Sequence, residues 1–294
     1  RSALTTGPLA QAGNEAHPGE WLLAIDGRPI RASGNFHSWF EMSGRGPVEL
    51  TIGPDSSGLG ARTVPVRLLR GENTLRRIEW AESNRRLVEE RSGGRIGYIY
   101  LSDTGSRGFE AFHQMLYAQR DRAGLVIDER FNSGGAPADL FIETLARRSL
   151  SAYTFRDGRD VPFPSGVFEG PLVMITNQSS GSGGDTLPWM FRRAGLGTLV
   201  GTRTAGAGIG GYISIPTLID GGELGIPTRG FYNPDGHWDI ENGGVSPDIP
   251  VEITPADWRA GQDTQLERAI EEALSGLDRI PLVRKSPRGT LPPG

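Results

Sequence analysis

Leu172-Val173-Met174-Ile175-Thr176-Asn177-Gln178-Ser179-Ser180-Gly181-Ser182-Gly183-Gly184-Asp185 is the stretch that decides the fold, because it joins an apolar run to a glycine-rich turn. The apolar run predicts a buried strand, and the residues through Trp189 and Phe191 predict a helix after the turn. Ser182 is flanked by glycines, so we expect its hydroxyl to be exposed, with unobstructed backbone N–H groups around it. The amino end of the following helix adds partial positive charge where an oxyanion would develop. By itself, the pattern fits either a nucleophilic serine or a flexible, helix-capping loop.

A second glycine-rich stretch also follows a short apolar strand. Asp128-Glu129-Arg130-Phe131-Asn132-Ser133-Gly134-Gly135 comes directly after Leu125-Val126-Ile127 and precedes a helix expected from Pro137 to Arg148. We expect the two glycine-rich strand ends to face each other, so that the N–H groups of Gly135 and Gly183 form an oxyanion hole with two donors. An ordinary strand-to-helix turn is the alternative interpretation of the same residues.

Strands and helices alternate along most of the chain after Ile96, and this alternation predicts an α/β layered domain. The expected strands are Ile96 to Leu101, Leu125 to Ile127 and Leu172 to Thr176. The expected helices are Ser106 to Arg120, Pro137 to Arg148 and Asp263 to Ser275, the last with Asp263 as its N-cap. Asp220-Gly221-Gly222 predicts a hairpin between strands at Tyr212 to Pro216 and Glu223 to Pro227.

Residues 1–72 predict a separate β-rich unit. Trp21 to Ile25 is strand-like and Asp26-Gly27-Arg28-Pro29 is a turn signal, and this segment resembles the central strand and turn of PDZ domains. The unit is short for that type of domain, so we expect its first strands to lie outside this chain. We therefore predict a PDZ-like domain over 1–72, a linking helix over 73–92, an α/β catalytic domain over 93–277 and a Pro-rich tail over 278–294.

Composition argues against several classes of function. The 294 residues carry a net charge of -4, with Lys and Arg scattered among acids, so no nucleic-acid partner is expected. No apolar run is long enough to cross a bilayer, so no membrane partner is expected. The chain has no cysteine and no Asp/Glu/His cluster with metal-ligand spacing, so neither a metal nor a cofactor is implied. Gly206, Gly208 and Gly211 have the spacing of a dinucleotide fingerprint, but a strand is expected after them where that motif requires a helix.

Several blocks of sequence together resemble the tricorn branch of the C-terminal-processing serine peptidase family. They are Arg85 to Ser92, Gly94 to Leu101, Ile127 to Gly135, Gly181 to Asp185, Gly195 to Gly197, Val200 to Thr204 and Val245 to Asp248. The resemblance implies a crotonase-like α/β (α+β) catalytic domain preceded by a PDZ-like domain. It implies Ser182 as nucleophile, Gly183 and Gly135 as oxyanion donors, and Glu241 as the acid that orients the catalytic base. It also implies peptide or unfolded-protein substrates, a homo-oligomeric parent protein and a cytoplasmic location.

The base that must take the proton of Ser182 is missing from this pattern. Processing peptidases of the wider family use a lysine, but the matching position is Ala207, and the only lysine of the chain is Lys285. A Ser/Lys dyad is therefore excluded. The tricorn branch takes its histidine from a segment upstream of the PDZ-like domain, so we expect the base to lie outside this chain and the chain alone to be inactive or very slow. His237, four residues before Glu241, is the remaining candidate base within the chain.

Substrate preference is a second point at which the chain departs from the resemblance. Tyr153 stands where tricorn carries an acid that favours basic residues at the cleaved position, so that preference is not implied here. Asp157 and Asp160 lie close in sequence and are candidates to compensate. The alternative function is a non-catalytic protein that retains a peptidase fold and binds peptides or another ligand in its cleft or at its PDZ-like edge. A Ser-His pair upstream of Arg1 in the parent protein favours the enzyme, and its absence favours the binding protein.

Overall fold

The computed structural model describes residues 7–31, 33–35, 37–41, 46–136, 138–155, 160–214 and 217–278. The chain divides between Ser83 and Asn84 into two compact units, each with its own hydrophobic core. The division falls within helix α2 (Asn73–Ser92), which coincides with the helix predicted over 73–92. The predicted Pro-rich tail lies outside the described residues, apart from Asp278.

The first unit is a four-stranded antiparallel sheet with the order β2-β1-β3-β4. Its elements after a short 3-10 helix at Pro8–Ala10 are β1 (Trp21–Ile25), β2 (Arg28–Pro29), α1 (Ser38–Glu41), β3 (Val48–Gly53) and β4 (Arg62–Val66). Asp26 and Gly27 have φ angles of 48° and 72°, which is the left-handed pair that a two-residue hairpin turn requires. The core consists of Ile25, Val48, Leu50, Ile52, Val64 and Val66.

The second unit contains a five-stranded parallel sheet with the order β13-β10-β9-β6-β5. Its elements in chain order are β5 (Ile96–Tyr100), α3 (Ser106–Ala118), β6 (Gly124–Asp128), α4 (Ala138–Leu145), β7 (Ser151–Tyr153), β8 (Val161–Phe163), β9 (Leu172–Thr176), α5 (Gly183–Arg193), β10 (Gly197–Gly201), β11 (Gly210–Ser214), β12 (Gly225–Arg229), β13 (Ile249–Pro250), α6 (Pro255–Ala260) and α7 (Thr264–Leu277). The predicted α/β layering is confirmed. Asp263 caps α7 as expected, because its carboxylate accepts a hydrogen bond from Leu266 N.

The parallel sheet fixes where the functional residues meet. Every residue of β6 and β9 is buried, and these two strands are hydrogen-bonded neighbours. Because parallel strands end at the same edge of a sheet, the loops after β5, β6, β9 and β10 all emerge together at its carboxyl edge. The two glycine-rich stretches that follow β6 and β9 are therefore side by side. No helix in the described ranges is both long enough and apolar enough to span a membrane.

Candidate active site

Ser182 occupies a strained turn at the amino end of α5. It is the N-cap residue, with φ 58° and ψ -112°, and it is exposed. A non-glycine residue in that region of backbone conformation costs about 1–3 kcal/mol and persists only where surrounding contacts enforce it. A strained strand-to-helix turn that exposes a serine hydroxyl is the geometry of a nucleophile elbow. The exposure expected for Ser182 is present.

Asp185 stabilises this turn through hydrogen bonds from its buried carboxylate. It is fully buried, and its Oδ2 accepts hydrogen bonds from Ser182 N at 2.8 Å and Ala207 N at 2.9 Å. Its Oδ1 accepts from Gly206 N at 2.8 Å and from the Thr204 hydroxyl at 2.5 Å. Asp185 is also an acid in the first turn of α5, where it suits the helix dipole. The carboxylate joins the Ser182 turn to the loop after β10, and its position three residues after Ser182 gives no signal of that longer connection.

The loop after β6 lies against the same turn with almost no space between the two backbones. A Cβ built on Gly134 would come within 2.7 Å of Ser182 Cβ and 2.9 Å of Gly183 N. A Cβ built on Gly183 would lie 2.4 Å from Gly135 O and 1.9 Å from Thr104 Oγ1. Thr104 holds the loop from its other side, since its hydroxyl donates to Gly135 O at 2.9 Å. Glycine is therefore required at this contact, and the structure brings the two strand ends face to face.

The amides beside Ser182 are available to a ligand. In the described part of the chain, neither Gly135 N–H nor Gly183 N–H donates a hydrogen bond, although the neighbouring Gly134 N–H donates to Asn132 Oδ1 at 2.9 Å. Gly183 also lies at the positive end of the α5 dipole. Two unengaged amides and a helix amino terminus form an arrangement that can accept developing negative charge.

A buried charge network fixes the loop after β6 to the last helix. Arg130 pairs with Asp128 at 2.7 Å and with Asp263 at 2.9 Å. Burial alone would lower the pKa of Arg130, but the two carboxylates raise it, so the guanidinium stays charged. The Tyr98 hydroxyl donates to Asp128 Oδ2 at 2.8 Å, and burial together with the Asp128 charge raises the pKa of Tyr98 well above its usual value. This network sets the path of the loop that carries Gly135.

Glu241 lies at the wall of an open cleft rather than beside the serine hydroxyl. It is half-buried, and its Oε2 accepts a hydrogen bond from Ile209 N at 2.9 Å. The cleft has a volume of about 520 Å³, and its lining mixes apolar side chains such as Phe231 and Trp238 with polar ones such as Arg229. Among the described residues, no hydrogen bond joins Glu241 to Ser182.

The described residues show no hydrogen bond from the candidate base His237 to Ser182. His237 is exposed in a turn, where its backbone N–H donates to Asn233 Oδ1, and no hydrogen bond connects its ring to Ser182 in the described ranges. Ala207 does lie next to the nucleophile turn, because a Cβ built on Gly181 would be 4.0 Å from Ala207 Cβ. The position to which the resemblance assigns a lysine base is thus occupied by a methyl group. Lys285 lies outside the described residues.

Tyr153 is exposed on the short hairpin formed by β7 and β8. Its ring packs edge-on against Phe163, with centroids 5.6 Å apart. Asp160 accepts a hydrogen bond from the Thr154 hydroxyl at 2.8 Å, and Asp157 lies outside the described residues. The described residues contain no cluster of His, Asp or Glu side chains that could hold a metal ion.

The fold and this site define a class of protein: a parallel α/β domain with an exposed serine on a strained turn, preceded in sequence by a small antiparallel β unit. The model of Peptidase family S41 matches residues 95–251, and that of the Tricorn protease PDZ domain matches residues 2–71. The chain belongs to peptidase family S41, and the resemblance to its tricorn branch is confirmed.

Individual relatives give the same result. Tricorn protease from Thermoplasma volcanium is 36% identical over 266 residues, which is 90% of this chain and 25% of the relative. Tricorn protease homolog 1 from Streptomyces coelicolor is 36% identical over 275 residues, or 93% of this chain and 26% of the relative. The crystal structure of the tricorn protease superposes with a TM-score of 0.82 at 33% identity, covering 92% of this chain and 26% of that one. The chain therefore spans about a quarter of the length of these relatives.

Proposed function

We propose that this chain is the catalytic part of a serine peptidase of tricorn type that cleaves peptide bonds through an acyl-enzyme at Ser182. The observation that carries the proposal is the backbone of Ser182, whose φ of 58° exposes the hydroxyl at the amino end of α5. Family membership supports the same reaction class. A loop that merely capped a helix would gain nothing from this strain, because an N-cap residue ordinarily has extended backbone angles.

The arrangement suits attack on a peptide carbonyl. Ser182 Oγ adds to the carbonyl carbon while a base takes its proton, and the carbonyl oxygen gains negative charge near the Gly135 and Gly183 amides. The protonated base then gives the proton to the departing amine, and water releases the acyl group by the same steps. Loss of one such oxyanion donor typically costs about 10²- to 10³-fold in rate.

The base in this proposal is a histidine from a part of the protein outside this chain, oriented by Glu241. Two observations support it: Ala207 occupies the position of a lysine base, and Glu241 faces an open cleft with room for an additional segment. His237 is the weaker candidate because its ring makes no hydrogen bond to Ser182. We further propose that Tyr153 contacts the substrate side chain, that the substrates are peptides or unfolded proteins, and that the parent protein is a cytoplasmic homo-oligomer.

A covalent probe tests the proposal directly. We expect a fluorophosphonate to label the parent protein at Ser182, with the mass increase absent in Ser182→Ala. This chain alone should stay unlabelled or react very slowly, and its His237→Ala variant should behave like the unmodified chain. Failure to label the parent protein would refute the peptidase and favour a binding protein on the same fold. Labelling of the isolated chain that is lost in His237→Ala would place the base within it.

A further inference from the structure

Glu129 is a carboxyl group that the proposed reaction does not use, and its backbone is built into the nucleophile turn. Its N–H donates to Ile175 O of β9 at 3.0 Å. Its carbonyl oxygen accepts from the Ser180 hydroxyl at 2.9 Å and from Asn132 N at 3.0 Å. Ser180 is only two residues before Ser182, so Glu129 lies directly under the turn.

The side chain of Glu129 is enclosed and unpartnered. Glu129 has 0% exposed surface, and neither of its carboxyl oxygens has a hydrogen-bond partner among the residues that the structure describes. The acceptors of the nearby Ser180 hydroxyl are the Glu129 carbonyl oxygen at 2.9 Å and Asn177 Oδ1 at 3.3 Å. An ionised carboxylate without partners is among the most costly groups to bury, whereas its neutral form is tolerated.

The charges around Glu129 also favour its protonated form. Burial raises the pKa of Glu129 well above its usual value; the Ser180 hydroxyl opposes this, and the negative charges of Asp185 and Asp128 add to the increase. Arg130 does not offset these charges, because its guanidinium is held by Asp128 and Asp263. Glu129 therefore retains its proton where exposed glutamates have lost theirs.

We propose that Glu129 is a positioning residue that supports the Ser182 turn only while its carboxyl is protonated. Loss of the proton puts a second buried negative charge beside Asp185, whose own charge holds Ser182 N at 2.8 Å. Repulsion between the two carboxylates, together with the demand of the new charge for water, then opens the turn. This inference rests on the proposed active site, which should lose activity at high pH. The loss would come from opening of the turn that carries Ser182, and not from a change in the protonation of the catalytic base.

The first test measures unfolding by urea between about pH 5 and about pH 9, so it requires no activity. An unfolded glutamate loses its proton near pH 4.3. Above that pH the folded chain retains one more proton than the unfolded chain, so its unfolding constant should rise by up to about tenfold per pH unit until the folded pKa is passed. Glu129→Gln, which cannot ionise, should lack this slope, and Glu129→Leu should lack it too if the amide variant folds poorly. Glu110→Gln, at an exposed position on α3, should keep it.

The second test observes the group and the turn directly. Infrared difference spectra between the unmodified chain and Glu129→Gln should show the carbonyl stretch of a protonated acid at neutral pH. Amide exchange at Gly181 and Ser182 should accelerate on alkalinisation by more than the general tenfold per pH unit, and Glu129→Gln should abolish the excess. A carboxylate signal at neutral pH, or parallel pH profiles for Glu129→Gln and Glu110→Gln, would overturn the inference. Both readouts are independent of probe labelling at Ser182, so a failed peptidase proposal and a failed role for Glu129 are distinguishable.

Discussion

Replacing Asp185 with asparagine should damage the nucleophile turn far more than its small change in size suggests. The carboxylate accepts four hydrogen bonds in a fully buried site, three of them from backbone N–H groups. An asparagine side chain keeps one acceptor oxygen but turns an NH2 group toward the donors on the other side. Whichever way the amide is oriented, two of the four donors, buried or half-buried, lose their acceptor.

The loss of stability follows from the number of donors that lose their acceptor. A buried donor left unsatisfied costs about 1–3 kcal/mol, so Asp185→Asn should lower the free energy of unfolding by about 2–6 kcal/mol. With a urea slope of about 2 kcal/mol per M, the midpoint of the transition of the second unit should fall by roughly 1–3 M. The Ser182 amide should also lose its protection from hydrogen exchange, because its acceptor is the residue that has been changed.

The matched control is Asp139→Asn. Asp139 is an exposed acid in the first turn of α4, so its substitution removes a helix-dipole interaction of about 0.3–1 kcal/mol and no buried partner. Urea unfolding followed by circular dichroism compares the two variants. Equal losses of stability in the two variants would show that the hydrogen bonds of Asp185 do not hold the turn, and the account of the site given above would be wrong.

Two further predictions concern backbone geometry at the turn. Gly183→Ala should lower the free energy of unfolding by about 1–3 kcal/mol or more and abolish probe labelling of the parent protein. The new Cβ would meet Gly135 O at 2.4 Å, and a backbone atom cannot move aside as a flexible side chain can. Gly71→Ala, which has nothing within 4 Å of the new atom, is its control, and equal stability of the two variants would contradict the close packing. Ser182→Gly should be more stable than Ser182→Ala by about 1 kcal/mol, since only glycine relieves the strain at φ 58°, while both should be inert to the probe. The reverse order of stability would mean that the turn is not strained.

The sequence was sufficient for those parts of the fold in which local chemistry and burial agree. The run from Leu172 to Thr176 was predicted as a strand with its observed limits, because five consecutive residues suited to a buried strand are followed at once by turn residues. β10 was missed for the opposite reason. Glycines at Gly197 and Gly201 make a buried strand look like a loop, and only pairing with β9 and β13 stabilises it.

The candidate site shows the same limit. The positions of Ser182 and the two glycines were predicted because their local pattern has a direct consequence for backbone conformation. The support of the turn was not found, since Asp185 reaches Gly206 across 21 positions and Glu129 lies under Ser180 across 51. Contacts between residues so far apart in sequence depend on the order of strands in the sheet, and a local sequence pattern does not determine that order. The roles proposed for Ser182, Gly135, Gly183, Glu241, Tyr153 and His237 all remain predictions.

The ion pair between Arg130 and Asp263 has a consequence for how the protein is made. The two residues are 133 positions apart, and Asp263 caps the last helix of the sheet domain. At about 5–20 residues per second, Asp263 is synthesised roughly 7–27 s after Arg130. Until then, the loop that carries Gly135 lacks one of its two charged anchors, so the growing chain cannot present a finished active site. Order of synthesis thus delays assembly of the Ser182 turn until the domain that contains it is nearly complete.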